Sequence, residues 1–88
     1  MIGHLERVEE FLARLQALNR IQIPVEIRLR FEFEPGEVLF VEMEIDREVE
    51  EASFYARLQK GLRFTVPLEI VMRMGLKRGD MIWVKLWK

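Results

Sequence analysis

The chain repeats itself, and that repetition limits what it can fold into. Residues 11–45 align without a gap to residues 54–88, an offset of 43 positions. Twelve of the 35 aligned pairs are identical: Phe11/Phe54, Ala13/Ala56, Arg14/Arg57, Leu15/Leu58, Gln16/Gln59, Arg20/Arg63, Pro24/Pro67, Glu26/Glu69, Ile27/Ile70, Arg30/Arg73, Gly36/Gly79 and Val41/Val84. Most other pairs exchange one apolar side chain for another. A unit of this size leaves too much apolar edge exposed to close a core alone, so the two copies are expected to pack around one shared core.

Each copy reads as strand, strand, short helix, strand. The first strand is Phe11–Leu15 or Phe54–Leu58, where apolar and polar side chains alternate. The second is Arg20–Ile23 or Arg63–Val66, with Ile21/Ile23 and Phe64/Val66 on one face and Arg20/Gln22 and Arg63/Thr65 on the other. Pro24 and Pro67 end that strand, since proline has no N–H for a ladder, while their fixed φ suits a helix start. Glu26 and Glu69 fall in the first turn, where the helix dipole favours an anion. Gly75 is placed to cap the second helix. Gly36 and Gly79 mark turns into the third strand, and in Met81–Trp87 Ile82, Val84 and Leu86 alternate with Trp83, Lys85 and Trp87. Residues 1–10 resist this scheme. Leu5, Val8, Leu12, Leu15 and Leu18 follow helical steps, so residues 1–10 are read as a short helix or a loose arm. Residues 46–53 are a short acidic linker.

Eighty-eight residues suit one domain. There is no cysteine and one histidine, His4, so neither a disulfide framework nor a thiolate or histidine metal site is expected. No apolar run has membrane-spanning length and no leader pattern opens the sequence, which points to a cytoplasmic protein. Abundant charge with a single Asn suits a thermophile source. The net charge of −1 conceals a gradient: residues 1–10, 11–45, 46–53 and 54–88 carry −2, −2, −3 and +6. A polyanion would meet the second copy first.

The run Phe-x-Ala-Arg-Leu-Gln-x-x-x-Arg-Phe-Thr-Val-Pro-Leu-Glu-Ile, followed by Met-Gly-Leu-Lys-Arg-Gly-Asp-Met-Ile-Trp-Val, resembles the AbrB/SpoVT swapped-hairpin family. The second copy matches nearly end to end and the first more loosely, together covering residues 11–88. The resemblance implies a mainly β fold with two short helices: a swapped-hairpin, AbrB-like β-barrel built from two tandem β-β-α-β repeats (11–45 and 54–88). Family members usually pair two chains, whereas here one chain would supply both halves. The resemblance also implies a DNA-binding transcriptional regulator that touches the phosphate backbone mainly through the basic second repeat. Arg20 and Arg63 match a DNA-contacting arginine of the family. Arg14 and Arg57 match a basic position on strand one, and Arg28 matches a basic position on the helix, where copy two has Val71. The family's lysine after proline is Val25 and Leu68 here.

Lys60 joins Arg14, Arg20, Arg57 and Arg63 as a candidate phosphate contact on outward faces. Double-stranded DNA is thus the leading partner, with no small-molecule substrate or membrane. The alternative is a protein-interaction module or antitoxin-like partner binder that has lost DNA binding. Phe40, Trp83 and Trp87 are the candidate surface for a homo-oligomer or protein partner, unless a helix or residues 2–10 cover them. Glu32, Glu34, Glu37, Glu42 and Glu44 read as a solvated side. No nucleophile–base pair is apparent, so no catalytic residue, metal ligand or cofactor is assigned and an enzyme is not expected. Lys77 and Arg78 read as solvated turn residues.

Overall fold

In the computed structural model, which describes residues 6–45 and 50–88, strand pairing crosses from one half of the chain to the other. The elements in chain order are β1 (Arg7–Arg14), a 3-10 turn (Ala17–Asn19), β2 (Arg20–Gln22), α1 (Val25–Arg30), β3 (Val38–Ile45), β4 (Glu50–Arg57), β5 (Arg63–Thr65), α2 (Leu68–Met74) and β6 (Met81–Trp87). β1, β2, α1 and β3 each begin 43 positions before β4, β5, α2 and β6. One antiparallel sheet runs β1-β6-β3-β4, and β2 pairs with β5 in a second, two-stranded ribbon. The first strand of each half therefore pairs with the last strand of the other. The class is mainly β with two short helices. Among the described residues, six strands form two separate sheets, with β1 and β4 left as edges, and not one closed cylinder.

The core follows from alternation. Phe11 and Ala13 of β1, Leu39, Val41 and Met43 of β3, Phe54 and Ala56 of β4, and Ile82, Val84 and Leu86 of β6 are buried. Ile21 and Phe64, opposite each other in the ribbon, are fully buried from the other side. The Phe54 and Phe64 rings lie 6.2 Å apart, which ties ribbon to sheet. Among the described residues no polar or charged side chain is buried, so the enclosed contacts are apolar packing. The Cα radius of gyration is 12.6 Å, close to the roughly 12 Å of a packed body of this length.

Two sequence expectations change. Residues 7–10 are neither helix nor loose arm: they begin β1. The apolar steps at Val8 and Leu12 mimic a helix, but the register shifts between Arg7 and Glu9. That bulge restores strand alternation from there on. The backbones of Glu6 and Lys88 close this end with reciprocal bonds of 3.2 and 3.1 Å. Residues 2–5 lie outside the described residues. Likewise, residues 50–53 of the acidic linker are strand, paired with Glu42–Ile45, because β3 offers them a free ladder. Residues 46–49 are also outside the described residues.

The helices start and stop as their sequences dictate, with one refinement. Pro24 and Pro67 sit at the N-cap, one residue before the helix, with φ of −59° and −55°. Gly75 caps α2 in the left-handed region (φ 62°, ψ 37°). α1, without a glycine there, ends at an extended Phe31 (φ −127°). Val71 is buried on α2 while its counterpart Arg28 is exposed on α1. Among the described residues no helix is long and apolar enough to cross a membrane.

Gly36 and Gly79 hold φ of +92° and +94°, and open space surrounds the position of a Cβ at both. Their N–H groups bond the carbonyls of Leu58 (2.7 Å) and Leu15 (2.8 Å), which seats each turn on the first strand of the other half. A side chain would meet backbone strain and no clash. Gly79→Val is expected to cost about 1–3 kcal/mol, lowering the thermal midpoint by about 5–15 °C. Gly36→Val should cost a similar amount. Unchanged melting for both would show that neither turn needs the left-handed conformation.

The same turns are closed by side chains. Glu37 accepts the backbone N–H of Glu34 (3.1 Å) and Asp80 accepts that of Lys77 (2.8 Å). Glu37 also pairs with Lys88 Nζ at 2.8 Å. Burial pushes the Glu37 carboxyl upward. The hydrogen bond from Lys88, the Glu34 N–H and the Lys88 charge together outweigh it and leave the pKa below the ordinary value of 4.5. A depressed folded pKa stabilises the protein above the unfolded value, and the gain is lost as pH falls through the folded value. Glu37→Gln is therefore expected to lower stability at neutral pH by about 0.5 kcal/mol. Melts of the two proteins should converge as acidification carries the wild type below the carboxylate range. A gap that persists in acid would point to a packing effect instead.

Candidate nucleic-acid interface

Burying Ile21 and Phe64 fixes what the ribbon shows to solvent. With a period of two, their neighbours Arg20, Gln22, Arg63 and Thr65 must face outward. The register sets Arg20 beside Thr65 and Gln22 beside Arg63, so two arginines sit diagonally on one small surface. They are not equivalent. Arg63 Nε donates to Gln22 Oε1 at 2.8 Å, and Gln22 Nε2 donates to the Gly61 carbonyl at 2.6 Å. Arg63 is thereby held in place. Across the ribbon, the Thr65 hydroxyl is engaged by Gln59 Nε2 at 2.6 Å. Arg20 Nε is buried without a hydrogen-bond partner. An unmatched buried donor costs about 1–3 kcal/mol.

The ends of the first strands bring further arginines. Arg14 Nη1 reaches the Gly79 carbonyl at 3.4 Å, and Arg57 Nη1 reaches the Gly36 carbonyl at 2.7 Å. Since Gly79 is pinned to Leu15, the preceding residue, Arg78, lands beside Arg14. Arg14, Arg20, Arg63 and Arg78 then line one cleft of about 420 Å³ together with Gln16 and Ala17, and no acid is among its lining residues. Four arginines lining one opening, in a chain of net charge −1, focus positive potential there. The planar fork of arginine suits bidentate contact with phosphate oxygens.

Of the six residues expected to meet DNA, three converge here: Arg14, Arg20 and Arg63. Arg57, Lys60 and Arg28 are exposed but do not line this cleft. Arg57 lies at the end of β4, and Arg28 stands on α1. The cleft draws two arginines from each half and not mainly from the second. Sequence reasoning missed Arg78, which looks like an ordinary solvated turn residue. The available signal was the glycine after it, because a turn locked against another strand carries its neighbours to a fixed place.

The aromatic candidates sit elsewhere. Phe40, Trp83 and Trp87 lie on the outer face of the four-stranded sheet, on the far side of the core from the ribbon. Trp83 is 45% exposed, and Arg73 of α2 lines a pocket together with it, Glu42 and Lys85. Trp87 is half-buried, with its Nε1 lacking a hydrogen-bond partner, and stands opposite Phe40 in the ladder. The Phe40 and Tyr55 rings are 5.0 Å apart. Among the described residues, no group of three His, Cys, Asp or Glu side chains is placed to hold a metal ion.

Comparison with known proteins yields one fold relation. No protein-family model matches the sequence, and no curated protein does. The solution structure of PHS018 from Pyrococcus horikoshii resembles this chain with a TM-score of 0.82 and 24% identity, over 92% of this chain and 90% of that one. The likeness extends to the fold.

Proposed function

We propose that this chain is a DNA-binding transcriptional regulator of the AbrB/SpoVT type, built as a swapped-hairpin barrel from two tandem β-β-α-β repeats. The architecture is supported by the crossed pairing of β1 with β6 and β4 with β3 and by the recurrence of each strand and α-helix of the first half 43 positions on. The function rests on one observation, the acid-free cleft lined by Arg14, Arg20, Arg63 and Arg78. These residues bind phosphates of the duplex backbone and position the protein, with Arg63 pre-ordered by Gln22 and Arg20 turning its buried, unmatched Nε outward to gain an acceptor from the ligand. The second reading, a protein-interaction module or antitoxin-like partner binder, draws on the exposed aromatic face around Trp83.

A salt series of binding to duplex DNA separates the two. Arg14 and Arg78 are exposed, so Arg14→Ala/Arg78→Ala should fold normally. The wild type is expected to lose affinity steeply with salt. The double variant should bind more weakly and with a log–log slope shallower by about 0.9 for each phosphate contact removed. Arg28→Ala, outside the cleft, should change neither slope nor affinity appreciably. Absence of binding at low salt, or a slope untouched by the double change, would leave the partner-binding reading in its place.

The ribbon makes a finer prediction. During titration with a short duplex, the Nε–H resonance of Arg20, buried in the free protein, is expected to move as the side chain turns toward a phosphate, and to shift further than that of Arg63, whose Nε already has an acceptor. Equal shifts, or none at Arg20, would remove the role given to its orphan donor.

A further inference from the structure

Among the described residues, the outer face of the four-stranded sheet carries exposed aromatic side chains and an unusual charge arrangement. The ladder registers set its side chains in rows across β1, β6, β3 and β4. The central row reads Glu10, Lys85, Glu42, Ser53. An adjoining row places Trp87 beside Phe40 and Phe40 beside Tyr55. Tyr55 is 69% exposed and Trp83 45%, and aromatic side chains on an open sheet face suit an interface core.

We infer that this face joins two copies of the chain, sheet against sheet, about a two-fold axis running parallel to the strands. Charge complementarity selects that axis. Turning a copy over about that axis reverses the order of each row while keeping the rows aligned. Lys85 of each copy then lies over Glu42 of the other, twice over, and Glu10 meets Ser53. In the aromatic row, Trp87 of each copy lies over Phe40 of the other. An axis running across the strands would instead set Glu42 over Glu42 and Lys85 over Lys85. Because Glu42 and Lys85 are also cross-strand neighbours at the middle of the sheet, their alignment survives the twist and the roughly 30° angle between packed sheets. Such an interface is isologous and closes at two copies.

Four strands of about seven residues present roughly 450 Å² of projected sheet per copy. That falls below the approximately 800 Å² per partner of a standard interface, so the dimer is a weak one, with a dissociation constant on the order of 10–500 µM. The ribbon arginines of the cleft lie on the opposite side of the core, while Arg14 stands on this face at the end of β1, opposite Met81 and two rows from the central one. The charge and aromatic rows that carry the dimer do not include Arg14, and the association test needs no ligand, so its outcome is separate from what the cleft binds.

Sedimentation equilibrium across that concentration range tests the inference, using Glu42→Lys and Lys85→Glu separately and mixed. Each single variant opposes like charges across the axis and is expected to weaken association about tenfold or more. An equimolar mixture restores opposite charges between unlike chains, so it should associate nearly as well as the wild type. Loss of fold in one chain cannot be repaired by adding the other. Tyr55→Lys, which sets a second cation over Arg7 of the other copy at the end of the aromatic row, should weaken association with an unchanged melting curve and decides the matter if either charge variant fails to fold. A wild type that stays monomeric throughout overturns the inference. So does association indifferent to these changes, or a mixture no better than its components.

Discussion

The first strand of each half has no hydrogen-bonding partner within that half, and the rest of the structure depends on this. β1 pairs only with β6, and β4 pairs only with β3. An isolated half would leave an eight-residue strand with its N–H and C=O groups unmatched beside an open apolar face. Pairing across the halves answers both needs at once. β3 and β6 meet at the middle of the sheet in a register centred on Glu42 and Lys85, and the Ile21–Phe64 pair closes the far side of the core. Because the pairings that complete the sheet are distant in sequence, the fold is cooperative by construction, and neither half has a stable state to fall back on.

That constraint also builds the cleft. Crossed pairing carries the turn at Gly79 to the end of β1, where the Gly79 N–H bonds the Leu15 carbonyl and the Leu15 N–H bonds the Asp80 carbonyl. Arg78 and Arg14 become neighbours for that reason alone. The ribbon supplies the other two arginines because its inner positions are committed to the core. The clustered surface charge here is a by-product of where apolar side chains must go, the common arrangement when a small sheet has one buried and one wet face.

Much of this was legible in the sequence because it rests on periodicity. The offset of 43, the alternation in β3 to β6, the prolines before each helix and the glycine after α2 all identify their elements. What escaped depended on distant pairing. The start of β1 at Arg7 was hidden by a bulge that put Val8 and Leu12 on a helical spacing. Residues 50–53 looked like linker because acidic side chains on the wet face of a strand carry no signature until a partner strand is known. Arg28 and Val71 share an aligned position, yet one is solvated and the other packed. The grouping of Arg14, Arg20 and Arg63 could be anticipated from outward facing, whereas the membership of Arg78 and the exclusion of Arg57, Lys60 and Arg28 required coordinates.

Carrying both halves on one chain permits a departure from symmetry that two identical chains cannot make. Positions 22 and 65 face the arginine opposite them in the ribbon. In an identical pair, both would be glutamine or both threonine, and both arginines would be held or both left free. Here Gln22 holds Arg63 while Thr65, shorter and already engaged by Gln59, leaves Arg20 Nε unmatched. The same asymmetry recurs nearby, where Arg78 stands at the position of Pro35 and Lys60 at that of Ala17. A held guanidinium loses little freedom when it meets an anion. An unmatched one recovers a desolvation cost that folding alone leaves uncompensated. Placing one of each on a single surface gives the cleft a fixed contact and a contact that gains most from a ligand, so the two ends of any bound polyanion are met by different energetics.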